Sequence, residues 1–182
     1  IVISALDPRV TLSVPVAGYT SCRGRVECPA DVGDLEQVPP DLAKVADYPA
    51  LTAMLVPRPA LIIYNEMDDC CFATARARPA IYDPVRPVYR AFNAEDKFET
   101  YSNTDPGNHN YDADNRSQLY KFLNKHFGLD SPISDIHRDE EILPESSLTV
   151  GLPEEQETLL SIALKRARKL NAERKPPQSA SD

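Results

Sequence analysis

The chain has 182 residues, of which 42% are hydrophobic and 26% are charged, and its formal net charge is −8. This length allows one hydrophobic core and a small appendage, and the composition is typical of globular proteins rather than disordered ones. The acidic balance argues against nucleic-acid binding, which needs a basic face to neutralise phosphates. No segment approaches the roughly 18 uninterrupted apolar residues of a membrane span. We therefore expect neither a nucleic acid nor a membrane as a partner.

The start of the chain and its cysteines indicate its context. Ile1–Leu6 has neither a charged flank nor an initiating Met, so we expect the sequence to belong to a longer protein. The prolines, 17 in all, are close to twice the usual share of about 5% and predict many ordered loops. The four cysteines allow a disulfide but lack the spacing of a metal ribbon, so we expect no metal site. They are Cys22, Cys28, Cys70 and Cys71.

The first part of the chain predicts a strand, a loop and two short helices. Arg9–Val16 is rich in β-branched residues and is followed by Ala17-Gly18, which predicts a buried strand. Tyr19–Pro40 has no sustained period and predicts a long ordered loop near a site. Asp41 can cap a short helix with Leu42 and Val45 pointing inward. A second short helix is expected to carry Tyr48, Leu51, Met54 and Leu55.

The middle of the chain alternates strands and helices. Ala60–Tyr64 is a run of five apolar residues, as in a strand buried on both faces. Asp83-Pro84 predicts the start of a helix, because an N-cap residue precedes a proline at the first helical position. Lys97–Ser102 alternates and predicts another strand. Ala113–Phe127 has apolar residues on one side and is followed by Gly128, which predicts a helix and its C-terminal stop.

Strands separated by helices at this spacing predict an α/β fold, with parallel strands joined by right-handed crossover helices. We expect residues 1–130 to form this domain. Residues 131–182 are expected to form an extension with a helix at about 153–172, whose apolar stripe must pack on another surface, and a tail from residue 174 that frays.

The carboxyl ends of the predicted strands carry an acid and a base. Functional residues of parallel sheets lie in loops beyond these ends, where Asp68 and His109 both fall. A histidine is a general base near neutral pH when a second group, such as a carboxylate, holds one tautomer. Asp69 is an alternative to Asp68. His126, in the last helical turn, and His137, in a polar stretch, are expected to be structural or exposed.

The sequence contains no convincing nucleophile. A nucleophile elbow requires Gly-x-Ser-x-Gly between a strand and a helix, and no serine has that setting. Cys22, in Thr20-Ser21-Cys22-Arg23-Gly24, comes nearest and would give the order Cys22, Asp68, His109. Two features argue against it. Residues 25–31 predict a poor helix, and no strand is predicted between Gly24 and Pro59.

Several segments together resemble a known family. They are Leu6-Asp7-Pro8-Arg9-Val10, Asp34-Leu35-Glu36-Gln37, Asp47-Tyr48, Pro57-Arg58-Pro59-Ala60-Leu61-Ile62-Ile63-Tyr64-Asn65, Asp68-Asp69-Cys70-Cys71-Phe72 and Asp105-Pro106-Gly107-Asn108-His109-Asn110. From Ala5 to Leu129 the sequence resembles the carboxyl-terminal half of α/β-hydrolase esterases related to bacterial acetyl xylan esterases and to the prolyl-oligopeptidase-like group.

The resemblance implies roles for these residues. Asp68 would orient the histidine, His109 would be the base, and the nucleophilic serine and oxyanion hole would lie upstream of Ile1. The chain would then be a fragment of a serine ester hydrolase, inactive alone, acting on a small ester or acetylated carbohydrate without a cofactor. Cys70-Cys71 would form a tight loop near the site, with a bridge to Cys22 or Cys28 allowed. Secretion or a periplasmic location would suit a polysaccharide esterase, although no signal segment in the sequence supports it.

Two alternatives to an esterase stay open. The parent protein could be a peptidase of the same fold. The chain could also be a noncatalytic α/β module that binds a partner through residues 19–40 or through the helix of residues 153–172. The sequence does not indicate an oligomeric state.

Overall fold

A computed structural model describes residues 1–33 and 37–174. The chain divides into two compact units between His137 and Arg138. The domain boundary predicted at residue 130 stays a prediction. Most of the Asp34-Leu35-Glu36-Gln37 segment and nearly all of the tail that was expected to fray lie outside the described residues.

The sheet of the first unit has two parallel strands, β1 (Ala60–Asn65) and β2 (Phe98–Asn103). Their register pairs Ala60 with Phe98 and Asn65 with Asn103, so the two strands end together. All six residues of β1 are buried, as expected for a strand covered on both faces. Together with the helices described below, this sheet makes the protein an α/β fold, and both predicted strands are confirmed.

The strand predicted over Arg9–Val16 forms only two isolated parallel bridges to β1, Ser13 with Ala60 and Val16 with Ile63. The carbonyl groups of Ser13 and Pro15 accept hydrogen bonds from Leu61 and Ile63, and Ala17 donates to Ile63. Pro15 has no backbone N–H to continue this ladder. The predicted strand is therefore wrong in extent, because the proline interrupts its pairing.

The helices of the first unit are α1 (Val2–Leu6), α2 (Cys22–Glu27), α3 (Tyr48–Ala53), α4 (Thr74–Ala91) and α5 (Ala113–Phe127). Short 3-10 turns occur at Pro29–Val32, Leu42–Lys44 and Glu95–Lys97. The bounds of α5 agree with the predicted helix, and Gly128 ends it in the left-handed conformation at φ 64°.

Two early predictions are wrong. The predicted loop of residues 19–40 contains α2, because the Ser21 hydroxyl accepts the Gly24 N–H and caps the helix. The helix predicted after Asp41 is one 3-10 turn, since Asp41 is left-handed and makes no capping bond. Val45 is 85% exposed and does not point inward.

Helix α4 begins at Thr74, nine residues before the predicted start at Asp83. Its buried residues are spaced by three or four over the whole helix; they are Thr74, Ala77, Ile81, Val85 and Tyr89. Its prolines, Pro79, Pro84 and Pro87, lie on the exposed side, where water can hydrate the carbonyl groups that lack a helical partner. Pro84 is thus inside the helix rather than at its first position.

The core lies on the two faces of β1. Ala60, Ile62 and Tyr64 belong to the larger cluster, which includes residues of α3 and α4. Leu61 and Ile63 point to the opposite face and pack with Phe122 of α5. Alternate residues of a strand face opposite sides, so β1 is held between helices and its carboxyl end is fixed in place.

The second unit contains α6 (Glu145–Leu148), α7 (Leu159–Glu173) and a 3-10 turn at Asp139–Glu141. Helix α7 begins six residues after the predicted start at Pro153. Thr158 and Ser161 form a reciprocal capping box, which fixes the start. The apolar residues Leu159 and Leu160 are exposed. Within the described part of the chain, no helix combines the length and apolarity needed to cross a membrane.

Candidate active site

The carboxyl ends of β1 and β2 carry the loops that contain Asp68 and His109. Glu66 and Met67, just after β1, donate backbone hydrogen bonds to the carbonyl groups of Asn103 and Gly107. These bonds tie the loop after β1 to the loop after β2. Two segments 41 residues apart in sequence therefore meet at one edge of the sheet, as expected for parallel strands.

Asp68 and His109 are in direct contact. The His109 Nδ1 lies 3.1 Å from Oδ1 and 3.0 Å from Oδ2 of Asp68. The Asp68 side chain is 0% exposed, whereas that of His109 is 45% exposed. A carboxylate at this position accepts the Nδ1 proton, which leaves the lone pair on Nε2. The arrangement is that of an oriented general base.

Hydrogen bonds from its own loop hold the Asp68 carboxylate. Oδ1 accepts the backbone N–H groups of Cys70 at 3.0 Å and Cys71 at 2.9 Å. Asn65 Nδ2 is 3.4 Å from Oδ2. These donors satisfy a buried charge that would otherwise be costly, and they fix its direction toward the imidazole.

Asp69, the alternative acid, contacts His109 through a different atom. Its Oδ1 accepts the backbone N–H of His109 at 2.9 Å, and this bond is the main cause that lowers the pKa of Asp69. Asp68 therefore holds the ring of the histidine, and Asp69 holds its backbone. The residue pattern left both positions open, and the family resemblance favoured Asp68.

A buried asparagine network supports both loops and is not predicted from the sequence. Asn65, Asn103 and Asn115 are each 0% exposed. Asn115 Nδ2 donates to Asn65 Oδ1 at 3.0 Å and to the Asn110 carbonyl group at 3.1 Å. The network thus connects the end of β1, the start of α5 and the residue next to His109. Asparagine at a strand end is also a common turn residue, so the sequence carried no distinct signal for this role.

Asn103, the last residue of β2, shapes the turn before His109. Its Oδ1 accepts the Gly107 N–H at 2.9 Å, and its Nδ2 donates to Asp114 at 2.7 Å. Gly107 has φ of 75°, and a Cβ there would lie 3.1 Å from the Thr104 carbonyl oxygen. The turn therefore requires glycine for both conformation and space.

The other two histidines lie away from the acid. The His126 ring packs edge-on against Phe122 of α5, and burial lowers its pKa. His137 is exposed at the end of the first unit. Among the described residues, neither forms a hydrogen bond with Asp68 or His109, so the structure brings only His109 to the acid.

Cys22, which comes nearest in sequence to the setting of a nucleophile, begins α2. Its backbone N–H donates to Asp47 Oδ1 at 2.7 Å. Burial, with a further contribution from Asp47, raises the pKa of its thiol, which disfavours the thiolate. Among the described hydrogen bonds, none joins Cys22 to His109. The proposed order Cys22, Asp68, His109 therefore does not form a contiguous triad.

The thiols next to His109 are instead those of Cys70 and Cys71, whose Sγ atoms are 3.5 Å apart. All four cysteines are free, so the structure does not contain the disulfide that the sequence allowed. The Cys71 thiol contacts that of Cys70, whereas Cys22 packs against the larger core cluster. Burial raises the pKa of Cys71 to about 12, so its thiol is a poor nucleophile.

An open cleft of about 650 Å³ lies beside His109. Its walls are Val14, Val16 and Ala17 from the segment paired with β1, and Asn110 and Tyr111 from the loop of His109. His109 thus faces a partly apolar groove at the edge of the sheet, where a small molecule could lie.

Comparisons with known proteins support the class of fold. No family model matches the sequence, and no curated protein matches it. The structure is similar to a solved structure, that of the methylesterase BT1017, with a TM-score of 0.52 and 23% sequence identity. The match covers 79% of this chain and 30% of that protein, so the chain spans less than a third of its solved neighbour.

Proposed function

We propose that this chain supplies the acid and the base of a serine-type ester hydrolase. The observation that carries the proposal is the bond between the buried Asp68 carboxylate and His109 Nδ1, at the carboxyl end of β1. We further propose that the domain is the carboxyl-terminal half of an α/β-hydrolase fold. The likeness to a methylesterase supports an ester as substrate.

The proposed reaction is acyl transfer. His109 Nε2 takes the proton of a serine hydroxyl as its oxygen attacks the ester carbonyl carbon, and then gives that proton to the leaving alcohol. Asp68 holds the imidazole in the required tautomer and stabilises the imidazolium that forms. Water then repeats the cycle on the acyl-enzyme, which releases the acid and regenerates the serine.

We propose that the serine and the oxyanion hole are provided by sequence upstream of Ile1. No Gly-x-Ser-x-Gly occurs within residues 1–182, and the solved neighbour is more than three times as long as the matched part. Residues 1–182 alone would then be inactive toward esters. The substrate class we favour is a small methyl or acetyl ester, including an acetylated carbohydrate, because the cleft beside His109 is open and partly apolar.

The test is an assay of a longer protein that includes the upstream coding sequence. With a nitrophenyl acetate substrate and a methyl ester, we expect His109→Ala to lower kcat/KM by roughly 10³-fold or more, because the general base is lost. His126→Ala is the matched control, since that ring packs on Phe122 away from the acid.

Two results would count against the proposal. Hydrolysis unaffected by His109→Ala would show that the base lies elsewhere. If a phosphonate ester labels no serine in the longer protein, the proposed nucleophile is absent. A noncatalytic module would then be favoured.

A further inference from the structure

The thiols of Cys70 and Cys71 lie beside the imidazole of His109. Their Sγ atoms are 3.5 Å apart, and one ligand atom from each of the three residues lies within 4.8 Å of the other two. The turn that carries the cysteines is fixed, because both of their backbone N–H groups donate to Asp68. The three donors are therefore held together by the same carboxylate that orients the histidine.

The spacing of the sulfur atoms suits one metal ion. Bonds from Zn²⁺ to sulfur are about 2.3 Å long, so two sulfurs 3.5 Å apart would subtend about 100° at the metal, close to the tetrahedral angle. The imidazole would need to approach by about 1 Å to complete bonds of this length. Cys70 and His109 are both exposed, which leaves room for this adjustment.

The chemistry of the donors selects the class of ion. Thiolates favour soft cations, and imidazole is a common ligand for Zn²⁺. A bound cation displaces the proton of a thiol that ligates it. Three protein ligands leave the fourth tetrahedral position open to water.

We propose that Cys70, Cys71 and His109 form a binding site for a soft divalent cation such as Zn²⁺. Occupancy of this site prevents His109 from acting as a base. A neutral imidazole has a single lone pair, and a metal bound to either ring nitrogen takes it. This inhibitory effect rests on the proposed function, whereas the binding itself does not.

The spacing of the four cysteines predicts no metal site, because it lacks the usual paired pattern. The structural site differs from that pattern. Its two sulfur ligands are adjacent in the chain, and its nitrogen ligand comes from the loop after the next strand. Only the parallel pairing of β1 and β2 brings the three together.

Binding can be measured on the reduced 182-residue chain with Cd²⁺ as the probe. We expect one Cd²⁺ per chain by equilibrium dialysis, and a thiolate-to-metal charge-transfer band in the ultraviolet. Cys70→Ser and His109→Gln should each weaken binding by about tenfold or more, since ligand bonds are lost. Cys28→Ser is the matched control and should retain both the stoichiometry and the band, because Cys28 lies outside the cluster.

Circular dichroism of each variant is the control for folding, and each spectrum should match that of the original chain. Unchanged Cd²⁺ affinity in both Cys70→Ser and His109→Gln would overturn the site, as would loss of the band in Cys28→Ser. No substrate is involved, so failure of the proposed hydrolase function would leave this result intact.

Inhibition is measured on the longer protein, with each variant compared with its own metal-free rate. Zn²⁺ should inhibit ester hydrolysis, and Cys70→Ser should require about tenfold more Zn²⁺ for the same inhibition. A protein that hydrolyses esters but is indifferent to Zn²⁺ would refute the inhibitory role alone.

Discussion

At the scale of single residues, two adjacent carboxylates hold one histidine by different atoms. Asp68 accepts from the ring, and Asp69 accepts from the backbone N–H. The sequence predicted that an acid beyond β1 would meet His109, but two neighbouring aspartates are equivalent in composition. Only the path of the turn, set by the N–H groups of Cys70 and Cys71, decides which one faces the ring.

The buried asparagines give a stability prediction. Asn115→Ala removes one donor to the Asn110 carbonyl group and the donor to the buried Asn65 Oδ1, which loses its hydrogen bond. We expect it to lower the free energy of unfolding by about 2 kcal/mol, measured by urea denaturation. The control is Asn108→Ala, at an exposed position, which should change stability by less than about 0.5 kcal/mol. Equal effects of the two substitutions would show that the network contributes nothing specific.

At the scale of elements, the predicted bounds agree with the structure where the local signals in the sequence agree with one another. Helix α5 has an apolar side and a terminal glycine, and β1 is a short apolar run, so both were predictable. Helix α4 begins before its predicted start because burial along its apolar stripe outweighs the cost of three prolines. Prolines inside a helix ordinarily break or kink it, so the sequence pattern predicted a shorter helix. Conversely, one proline, Pro15, interrupts the pairing of an otherwise suitable strand.

The ion pair between Asp31 and Arg76 connects the 3-10 turn at Pro29–Val32 to α4. Asp31 is 1% exposed and accepts from Arg76 and from the backbone N–H of Phe72. The Arg76 hydrogen bonds are the main cause that lowers the pKa of Asp31. Because folding lowers the pKa of Asp31, its ion pair stabilises the folded state fully at pH values above the pKa that Asp31 has in the unfolded chain. This stabilisation is lost as the pH falls through the pKa of Asp31 in the folded protein.

We therefore expect Asp31→Asn to reduce stability at neutral pH by roughly 1–3 kcal/mol. The difference in the free energy of unfolding between Asp31→Asn and the original protein should stay constant down to about pH 4 and shrink below that pH. Urea denaturation over this pH range measures both. Asp83→Asn, on the exposed side of α4, is the matched control. A difference that does not depend on pH would contradict the role of the charge.

The capping box fixes the start of α7 and gives a second prediction for an element. Thr158→Ala removes the acceptor of the Ser161 N–H. We expect a loss of about 1 kcal/mol in helix stability, seen as reduced helical Cα chemical shifts at residues 159–162. Thr149→Ala, outside α7, serves as control. Unchanged shifts at residues 159–162 in Thr158→Ala would mean that other interactions set the start of the helix.

At the scale of the molecule, the parallel pairing of β1 and β2 brings Asp68 and His109, which are distant in sequence, into contact. The alternation of strands and helices predicts that Asp68 and His109 meet at one edge, since the strands end in register. The asparagine network could not be predicted in the same way, and for Cys70-Cys71 the family resemblance implied a loop near the site but not the contacts of the two thiols. Their contacts depend on loop conformations, such as the turn at Gly107, that carry no periodic pattern.

The proposed chemistry requires that Asp68 hold His109 in the tautomer that leaves Nε2 free to take a proton. Two-bond nitrogen–proton NMR spectra of the chain at about pH 8.5, where an ordinary imidazole is neutral, report the tautomer directly. We predict that His109 carries its proton on Nδ1, and that Asp68→Asn shifts the population toward the Nε2 proton while Asp69→Asn does not. A proton on Nε2 in the original chain, unaffected by Asp68→Asn, would show that Asp68 does not set the tautomer of His109.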